Sequence, residues 1–352
     1  MSSATYLEQS CALQVDCSIS FGAGCRIAPS FRIPARAGEV SILFGPSGCG
    51  KTTTLRLLAG LARPDAGSIR FGDHRWVDTS RGDFCTPQQR KIGMVFQNYA
   101  LFSHLTVRQN LAFGLRQLKP SVREARIARI ADLLEIRPLL DHPVSAISGG
   151  QAQRVGLGRS LAIEPCLLLL DEPMAALDEP LRLQLGAELR GLLLRSQRST
   201  IMVTHDLREV ERLGDYLLVM DEGRVIEHAP VSELLGSPRL VRTAKILGID
   251  NILSTREAIA AGLIPPGLSS APFLAIAGEE IRIKETTSAP AARFRLARIE
   301  RHGPCLNLEF DQPARLHVRM TPQALPDRSL EAGQFYALDI PATARRFLQD
   351  SW

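Results

Sequence analysis

Four short runs are apolar almost throughout: Val40-Ser41-Ile42-Leu43-Phe44, Ile92-Gly93-Met94-Val95-Phe96, Leu167-Leu168-Leu169-Leu170 and Thr200-Ile201-Met202-Val203-Thr204. Runs of this length without polar alternation predict strands buried on both faces, as in the middle of a parallel sheet. Three-to-four spacing predicts helices between them. One covers residues 53–59. Val107, Asn110, Leu111 and Leu115 share a stripe of a second. Ile127, Ile130, Leu133 and Leu134 mark a third, which Ser121 is placed to cap. A long helix follows Ser148, and another spans about 180–196. Strands alternating with helices predict an α/β fold. The helical block starting near residue 104 interrupts the alternation and reads as an inserted subdomain, about 104–160.

Weaker alternation flanks this core. Residues 12–16 and 30–33 predict strands before it, as do 68–71 and Trp76-Val77 after the first helix. Residues 216–220 and 224–226 predict a hairpin around Glu222-Gly223. Beyond about residue 240 the texture changes. A Pro-, Ser- and Ala-rich stretch, 262–292, carries one strand at 273–276. Alternating strands follow at Phe294/Leu296, Leu306/Leu308/Phe310, Leu316/Val318/Met320 and 336–340. Short strands at regular spacing predict a small β-barrel. The expected domains are therefore 1–240 and 241–352.

The apolar runs end in polar residues, and these carry the chemistry. The first leads into Gly45-Pro46-Ser47-Gly48-Cys49-Gly50-Lys51-Thr52, which fits the phosphate-loop pattern in its strand–loop–helix context. The glycines let backbone N–H groups close around phosphate oxygens, and the helix start adds a positive dipole end. Lys51 is expected on the β- and γ-phosphates, and the Thr52 hydroxyl on Mg²⁺. Gln97 ends the second run, where a side chain reaches either a ligand at the sheet edge or only solvent. The third ends in Asp171-Glu172-Pro173. Asp171 is placed to hold Mg²⁺ through water, and Glu172 points elsewhere and can face an attacking water. The fourth ends in His205-Asp206. Ser148 has N-cap chemistry, and Gly149-Gly150-Gln151 leaves a helix start open to an anion. Phe21, upstream of the phosphate loop, serves either to stack on adenine or to pack in the core. Arg123, Arg126 and Arg129 share a helix face and read as solvated.

Composition narrows the class. The 352 residues hold 42 Lys+Arg against 37 Asp+Glu, a net charge of +5 with no dense basic block, so nucleic-acid binding is not expected. The seven cysteines are scattered, without C-x-x-C spacing, and predict neither a disulfide framework nor a metal site. No run approaches the ~18 apolar residues of a membrane span. The N-terminus has no basic start and no apolar segment. A soluble, cytoplasmic chain is expected.

Phosphate loop, Gln97, Ile147-Ser148-Gly149-Gly150-Gln151, the 167–173 run, Ala176-Leu177-Asp178 and Thr204-His205-Asp206 occur in this order in one chain. Together they resemble the nucleotide-binding subunit of an ABC transporter, over about residues 10–235. That resemblance implies a P-loop NTPase (RecA-like) cassette, and the tail resembles the OB-like TOBE domain appended to importer ATPases. Trp76-Val77-Asp78, Gly82, Pro87, Arg90 and residues 93–97 are most similar to molybdate importers. Residues 100–107 are shared with sulfate, iron(III), polyamine and sugar importers. Ser103 stands where the family usually has Pro, and Gly158-Arg159-Ser160 replaces the usual Ala-Arg-Ala.

By the same resemblance, Lys51 and the backbone of residues 48–53, Thr53 included, hold ATP. Thr52 and Gln97 ligate Mg²⁺, with Asp171 acting through water. Glu172 polarises the attacking water, with a structural Mg²⁺ ligand as its other reading. His205 contacts the γ-phosphate. Ser148, Gly149 and Gly150, with Gln151 beside them, bind that phosphate from a second copy of the chain in a head-to-tail homodimer. Asp178 serves the dimer interface or only its turn. Residues 99–102 form a docking groove for an integral membrane permease, or pack in the core. The resemblance also implies a periplasmic or extracellular solute-binding protein, and a place on the cytoplasmic face of a bacterial inner membrane. Two other readings remain at this point: a soluble ABC ATPase acting on nucleic acid or ribosomes, and an anion sensor with a degenerate cassette.

Overall fold

The computed structural model describes residues 12–22, 24–175, 179–284, 293–322 and 330–349. Their contacts divide the chain into two units, one ending at Val231 and one beginning at Ser232. The turn Ala176-Leu177-Asp178 lies outside the described residues.

In the first unit, alternating sequence makes half-buried strands and continuous apolar sequence makes buried ones. Strands β1 (Ala12–Phe21), β2 (Cys25–Ile27) and β3 (Ser30–Pro34) open the chain. Strand β4 (Val40–Phe44) is buried at every position and leads through the glycine loop into helix α1 (Lys51–Ala59). Strands β5 (Ala66–Phe71), β6 (His74–Asp78) and β7 (Asp83–Phe84) complete an antiparallel sheet in the order β2-β1-β5-β6-β7, with β3 on β1. The short helix α2 (Pro87–Arg90) precedes β8 (Ile92–Val95).

The insertion comes next: α3 (Val107–Ala112), α4 (Pro120–Leu133) and α5 (Gly149–Ala162). Then follow β9 (Leu167–Asp171), α6 (Glu179–Ser196), β10 (Ser199–Thr204), α7 (Leu207–Leu213), β11 (Tyr216–Asp221) and β12 (Arg224–Pro230). The second sheet has the order β12-β11-β4-β10-β9-β8, parallel but for the β11–β12 hairpin. Parallel pairing brings the C-terminal ends of β4, β8, β9 and β10 to one edge, where the polar residues lie.

The predicted stripes point inward. Val107, Asn110 and Leu111 are fully buried, and Ile127 and Ile130 pack beneath them in the insertion. Asn110 is the polar exception and is fully used. Its amide donates to the Phe102 and Thr106 carbonyls, and its oxygen accepts from the Phe102 N–H at 2.9 Å. Gly158 makes room for this packing, since a Cβ there would sit 2.8 Å from both Leu111 and Leu134. The cap expected at Ser121 is a correction: α4 starts at Pro120, with Lys119 before it, because Pro is pre-set for a first helical turn. Arg129 is exposed, as the solvated reading expects, and pairs with Glu164 there, whereas Arg126 is half-buried against the same carboxylate.

In the second unit, β13 (Asn251–Ser254), β14 (Phe273–Ile276) and β20 (Arg345–Leu348) form one sheet. A second has the order β15-β19-β16-β17-β18, from β15 (Arg282–Lys284), β16 (Arg293–His302), β17 (Cys305–Gln312), β18 (Leu316–Met320) and β19 (Phe335–Asp339). Phe294, Leu296, Leu308, Phe310, Leu316 and Val318 form the core of this β-rich, barrel-like unit, on the face that alternation assigned them. The opposite face of β16, β17 and β18 borders a cleft of about 290 Å³ lined by Arg298, Glu300, Glu309 and Arg319. The helix Thr255–Ala260 was not predicted, although Ser254 and Glu257 close a capping box at its start. Among the described residues, no helix is long and apolar enough to cross a membrane.

One charged side chain is built into the main core. Arg90 is 1% exposed. It donates to the carbonyls of Leu57 (2.6 Å) and Leu58 (2.7 Å) in the last turn of α1 and to that of Cys85 (2.9 Å), between the rings of Trp76 and Phe84. A cation there satisfies orphan carbonyls and opposes the negative end of the helix dipole. Burial pushes its pKa down to about 10, so it stays charged at neutral pH. Arg90→Met is expected to strip the Leu58 and Cys85 carbonyls of these bonds, while Leu57 O keeps the Gly60 N–H at 3.2 Å, and to lower stability by about 3 kcal/mol, measured by urea unfolding. A shift under ~0.5 kcal/mol would show that the carbonyls do not need the guanidinium.

Candidate nucleotide-binding site

The loop between β4 and α1 depends on three glycines. A Cβ on Gly45 would lie 2.1 Å from the Met220 carbonyl oxygen of neighbouring β11. Gly48 and Gly50 take φ of +81° and +104°, which glycine alone adopts freely. The residues between differ in exposure: Pro46, Ser47 and Gly48 face solvent, while Cys49 points inward. Burial pushes the Cys49 thiol up, against the nearby Lys51 ammonium.

Lys51, 6% exposed, spans the loop and donates to the carbonyls of Gly45 and Pro46, each at 2.8 Å. The hydroxyl of Thr52 donates to Asp171 Oδ1 at 3.0 Å. With its proton committed, the Thr52 oxygen presents only lone pairs, as a hard cation requires. Asp171 is buried, and that burial pushes its pKa up while the Thr52 bond opposes the shift. A hydroxyl and one carboxylate, both oxygen donors, fit Mg²⁺, which takes few protein ligands and completes its shell with water and phosphate.

Glu172 follows with φ +44°, a left-handed setting that is costly for a side chain of its size. Its N–H donates to the Val203 carbonyl at 3.1 Å, and its Oε2 lies 3.4 Å from His205 Nδ1. His205 sits just past β10, more than half exposed. Behind it Thr204 Oγ1 accepts the Asp206 N–H at 3.0 Å, and Asp206 caps α7. The buried Glu209 accepts from Thr204, and burial pushes its carboxyl up.

Gln97 lies exposed beyond β8, whose Val95 pairs with Leu170, so it reaches the same edge as Asp171. Phe21, 48% exposed, ends β1 opposite Cys25. Ile27, on the paired strand, abuts the phosphate loop: a Cβ on Gly50 would lie 2.7 Å from its Cδ1. The β1–β2 hairpin thus flanks the loop with an open aromatic ring. Thr53, in the first turn of α1, is half-buried.

Ser148 accepts the Gln151 N–H at 3.3 Å, and Gln151 Oε1 accepts the Ser148 N–H at 2.9 Å, a reciprocal cap on α5. Gly149 occupies the exposed first turn, with Gly150 beside it. No hydrogen bond or ion pair joins this turn to the phosphate loop among the described residues. The structure therefore assembles Lys51, Thr52, Asp171, Glu172 and His205 on one edge and leaves 148–151 on the insertion.

The stretch 99–102 divides. Tyr99 turns inward, and the half-buried Phe102 lies tilted against the exposed Phe113 at 4.2 Å between ring centroids. Arg159 lies over Phe102 and Arg116 over Phe113. Sequence reasoning missed the tasks of Arg90, Tyr99, Gln153 and Glu209. Glu209 alone left a trace, a carboxylate one helical turn after His205-Asp206.

The model of the ABC transporter family matches residues 30–175. The chain is 38% identical over 264 residues to the sn-glycerol-3-phosphate import ATP-binding protein of Paracoccus denitrificans, covering 74% of this chain and 73% of that one. It is 39% identical over 308 residues to the sulfate/thiosulfate import ATP-binding protein of Chromobacterium violaceum, covering 84% and 80%. It is 38% identical over 282 residues to the molybdenum import ATP-binding protein of Rhodobacter capsulatus, covering 78% and 74%. Among solved structures it is similar to cbiO1 of Clostridium perfringens, part of the ABC transporter complex cbiONQ, with 29% identity and a TM-score of 0.56 over 64% of this chain and 91% of that one. With the phosphate loop, the Thr52–Asp171 bond and the Glu172–His205 pair on one sheet edge, the chain belongs to the ABC transporter family as an ATP-hydrolysing subunit of the importer kind.

Proposed function

We propose that two copies of the chain sandwich Mg-ATP head to tail and so drive solute uptake through a separate membrane permease, from the cytoplasmic face. The observation that carries this reading is the separation of two helix starts. The start of α1 lies in the phosphate loop, while that of α5 is exposed with no bond to it among the described residues. A triphosphate bridging the two from different copies gives ATP differential affinity for the closed dimer, and hydrolysis removes the bridge.

In this mechanism Lys51 exchanges its loop carbonyls for phosphate oxygens. Thr52, Asp171 and Gln97 would hold Mg²⁺, which neutralises charge on the phosphates when bound. Glu172 orients the attacking water, and His205 sets the γ-phosphate beside it. Ser148, Gly149 and Gly150 of the second copy close on the same phosphate. Phosphoryl transfer needs little beyond such positioning and charge stabilisation. Phe21 offers its open ring to adenine. The aromatic surface at Phe102 and Phe113 is the permease dock.

The proposed solute is an oxyanion such as molybdate. The alignments with glycerol-3-phosphate, sulfate and molybdenum relatives cover 73%, 80% and 74% of those chains, against 59% and 60% for two maltose-type relatives. Sugar import is the second reading, favoured by 42% identity to the trehalose/maltose import ATP-binding protein of Thermococcus litoralis. The cleft of the second unit mixes guanidinium groups with carboxylates that outnumber them, so it supplies no oxyanion trap of its own. Selectivity is then left to the permease and its binding protein. Stimulation of the reconstituted ATPase by a maltose-loaded and not a molybdate-loaded binding protein would overturn the oxyanion reading.

Two substitutions test the core of the proposal. Glu172→Gln is expected to bind ATP as before, to lose at least ~100-fold in kcat, and to form a stable dimer in Mg-ATP by light scattering. A monomer under saturating Mg-ATP would refute the sandwich. Lys51→Ala is expected to weaken ATP binding by ~100-fold or more in equilibrium titration, as for a lost charge-assisted contact to phosphate. Unchanged affinity would remove the phosphate-loop assignment.

A further inference from the structure

We propose that Tyr99 and Gln153 clamp the carbonyl of Pro173 and thereby hold Glu172 in its working setting, which makes both positioning residues for hydrolysis. The inference rests on the reading of Glu172 as the group that orients the attacking water.

Glu172 is held at φ +44°. A non-glycine residue there is strained and persists only where its surroundings over-determine it. On its N-terminal side the constraint is the bond from its N–H to Val203 O in β10. On its C-terminal side Ala175 N–H closes a turn onto the Glu172 carbonyl at 3.1 Å. The next carbonyl, that of Pro173, accepts two side-chain donors from outside the strand: Tyr99 Oη at 3.2 Å and Gln153 Nε2 at 3.3 Å. Pro173 is buried, so its carbonyl needs a partner, and Pro brings no N–H with which to anchor the turn itself.

Both donors are fixed. Gln153 is 5% exposed on α5, and Tyr99 is 8% exposed in the loop after β8. Burial pushes the Tyr99 phenol up, which keeps it a donor. Tyr99 and Ala100 are themselves left-handed, at φ +54° and +45°. Arg159 of α5 ties that turn down by donating to Tyr99 O (2.9 Å) and Ala100 O (2.6 Å). Gly156 lets the ring seat against the helix, since a Cβ there would lie 3.2 Å from that of Tyr99. One buried carbonyl thus joins the end of β9, the loop after Gln97 and the helix that starts with Ser148. A displacement of α5 or of that loop pulls on the residue next to Glu172.

The test is steady-state and single-turnover ATPase kinetics on Tyr99→Phe, Gln153→Met and the double variant, with Glu172→Gln in parallel. Tyr99→Phe keeps the ring and removes one donor. Each single variant is expected to lose about threefold to tenfold in kcat, with KM for ATP within about twofold. The double variant should lose more than the product of the two, because the carbonyl is then orphaned. In the Glu172→Gln background, Tyr99→Phe should cost nothing further. Wild-type kcat in both single variants, or a loss confined to KM, overturns the clamp even if the melting temperature drops. Retained turnover in Glu172→Gln overturns the role of Glu172 and the clamp with it. A dead Glu172→Gln beside a fully active double variant overturns the clamp alone.

Discussion

A parallel ladder delivers its strands' C-terminal ends to a single edge, and the rest of this molecule follows from that constraint. Strands β4, β10, β9 and β8 are largely apolar, and apart from Asp171 at the end of β9 the polar side chains buried in β4 and β10 are small hydroxyls such as Ser41 and Thr200. The carboxylates, the amide of Gln97 and the imidazole of His205 come where they stop. The register sets Val203 beside Asp171 and Thr204 beside Phe44, so the loops after them meet. The Thr52–Asp171 bond then joins the start of α1 to the end of β9 across 119 positions of sequence. Helix α1 is held from both ends, at its start by the glycine loop and at its finish by the guanidinium of Arg90.

This organisation explains which parts of the fold were legible. Strands buried on both faces have no alternation to confuse with a helix, and each ended in a recognisable motif. The phosphate loop was legible because its glycines are required locally, by φ at Gly48 and Gly50 and by close approach at Gly45. The barrel-like unit was legible through alternation, since one face of β16, β17 and β18 fills the core. Its short helix was passed over because six residues of Thr, Arg, Glu, Ala and Ile give too little period to outweigh the surrounding strands, even with a cap in plain view.

The missed features share a cause. Arg90 reads in sequence as one more basic residue before a strand, and only the tertiary fold reveals that its guanidinium ends a helix more than 30 positions away. Tyr99 reads as part of an aromatic docking stretch, yet its hydroxyl is committed to Pro173 and only Phe102 is left for a surface role. Left-handed φ at Glu172, Tyr99 and Ala100 has no sequence signature, because none of the three is Gly or Asn. Each is imposed by bonds from other elements. These are the positions where local preference and global fold disagree, as expected around a working site.

The energy scale says what a nucleotide-driven dimer requires. Moving a two-state equilibrium from 1:99 to 99:1 takes about 5.5 kcal/mol of differential binding. An anion at a helix start contributes roughly 0.3–2 kcal/mol. Two sandwiched γ-phosphates, each meeting one α5 start, therefore fall short by the dipole alone. The remainder has to come from direct hydrogen bonds to the phosphates, about 1.5–3 kcal/mol each when one partner is charged, and from surface buried as the copies close. The reciprocal Ser148–Gln151 cap matters here. It fixes the first turn of α5 before any phosphate arrives, so little ordering entropy is left to oppose closure. In the proposed sandwich, a helix start rigid in advance lets the gain or loss of the two γ-phosphates act on the dimer with little entropic offset.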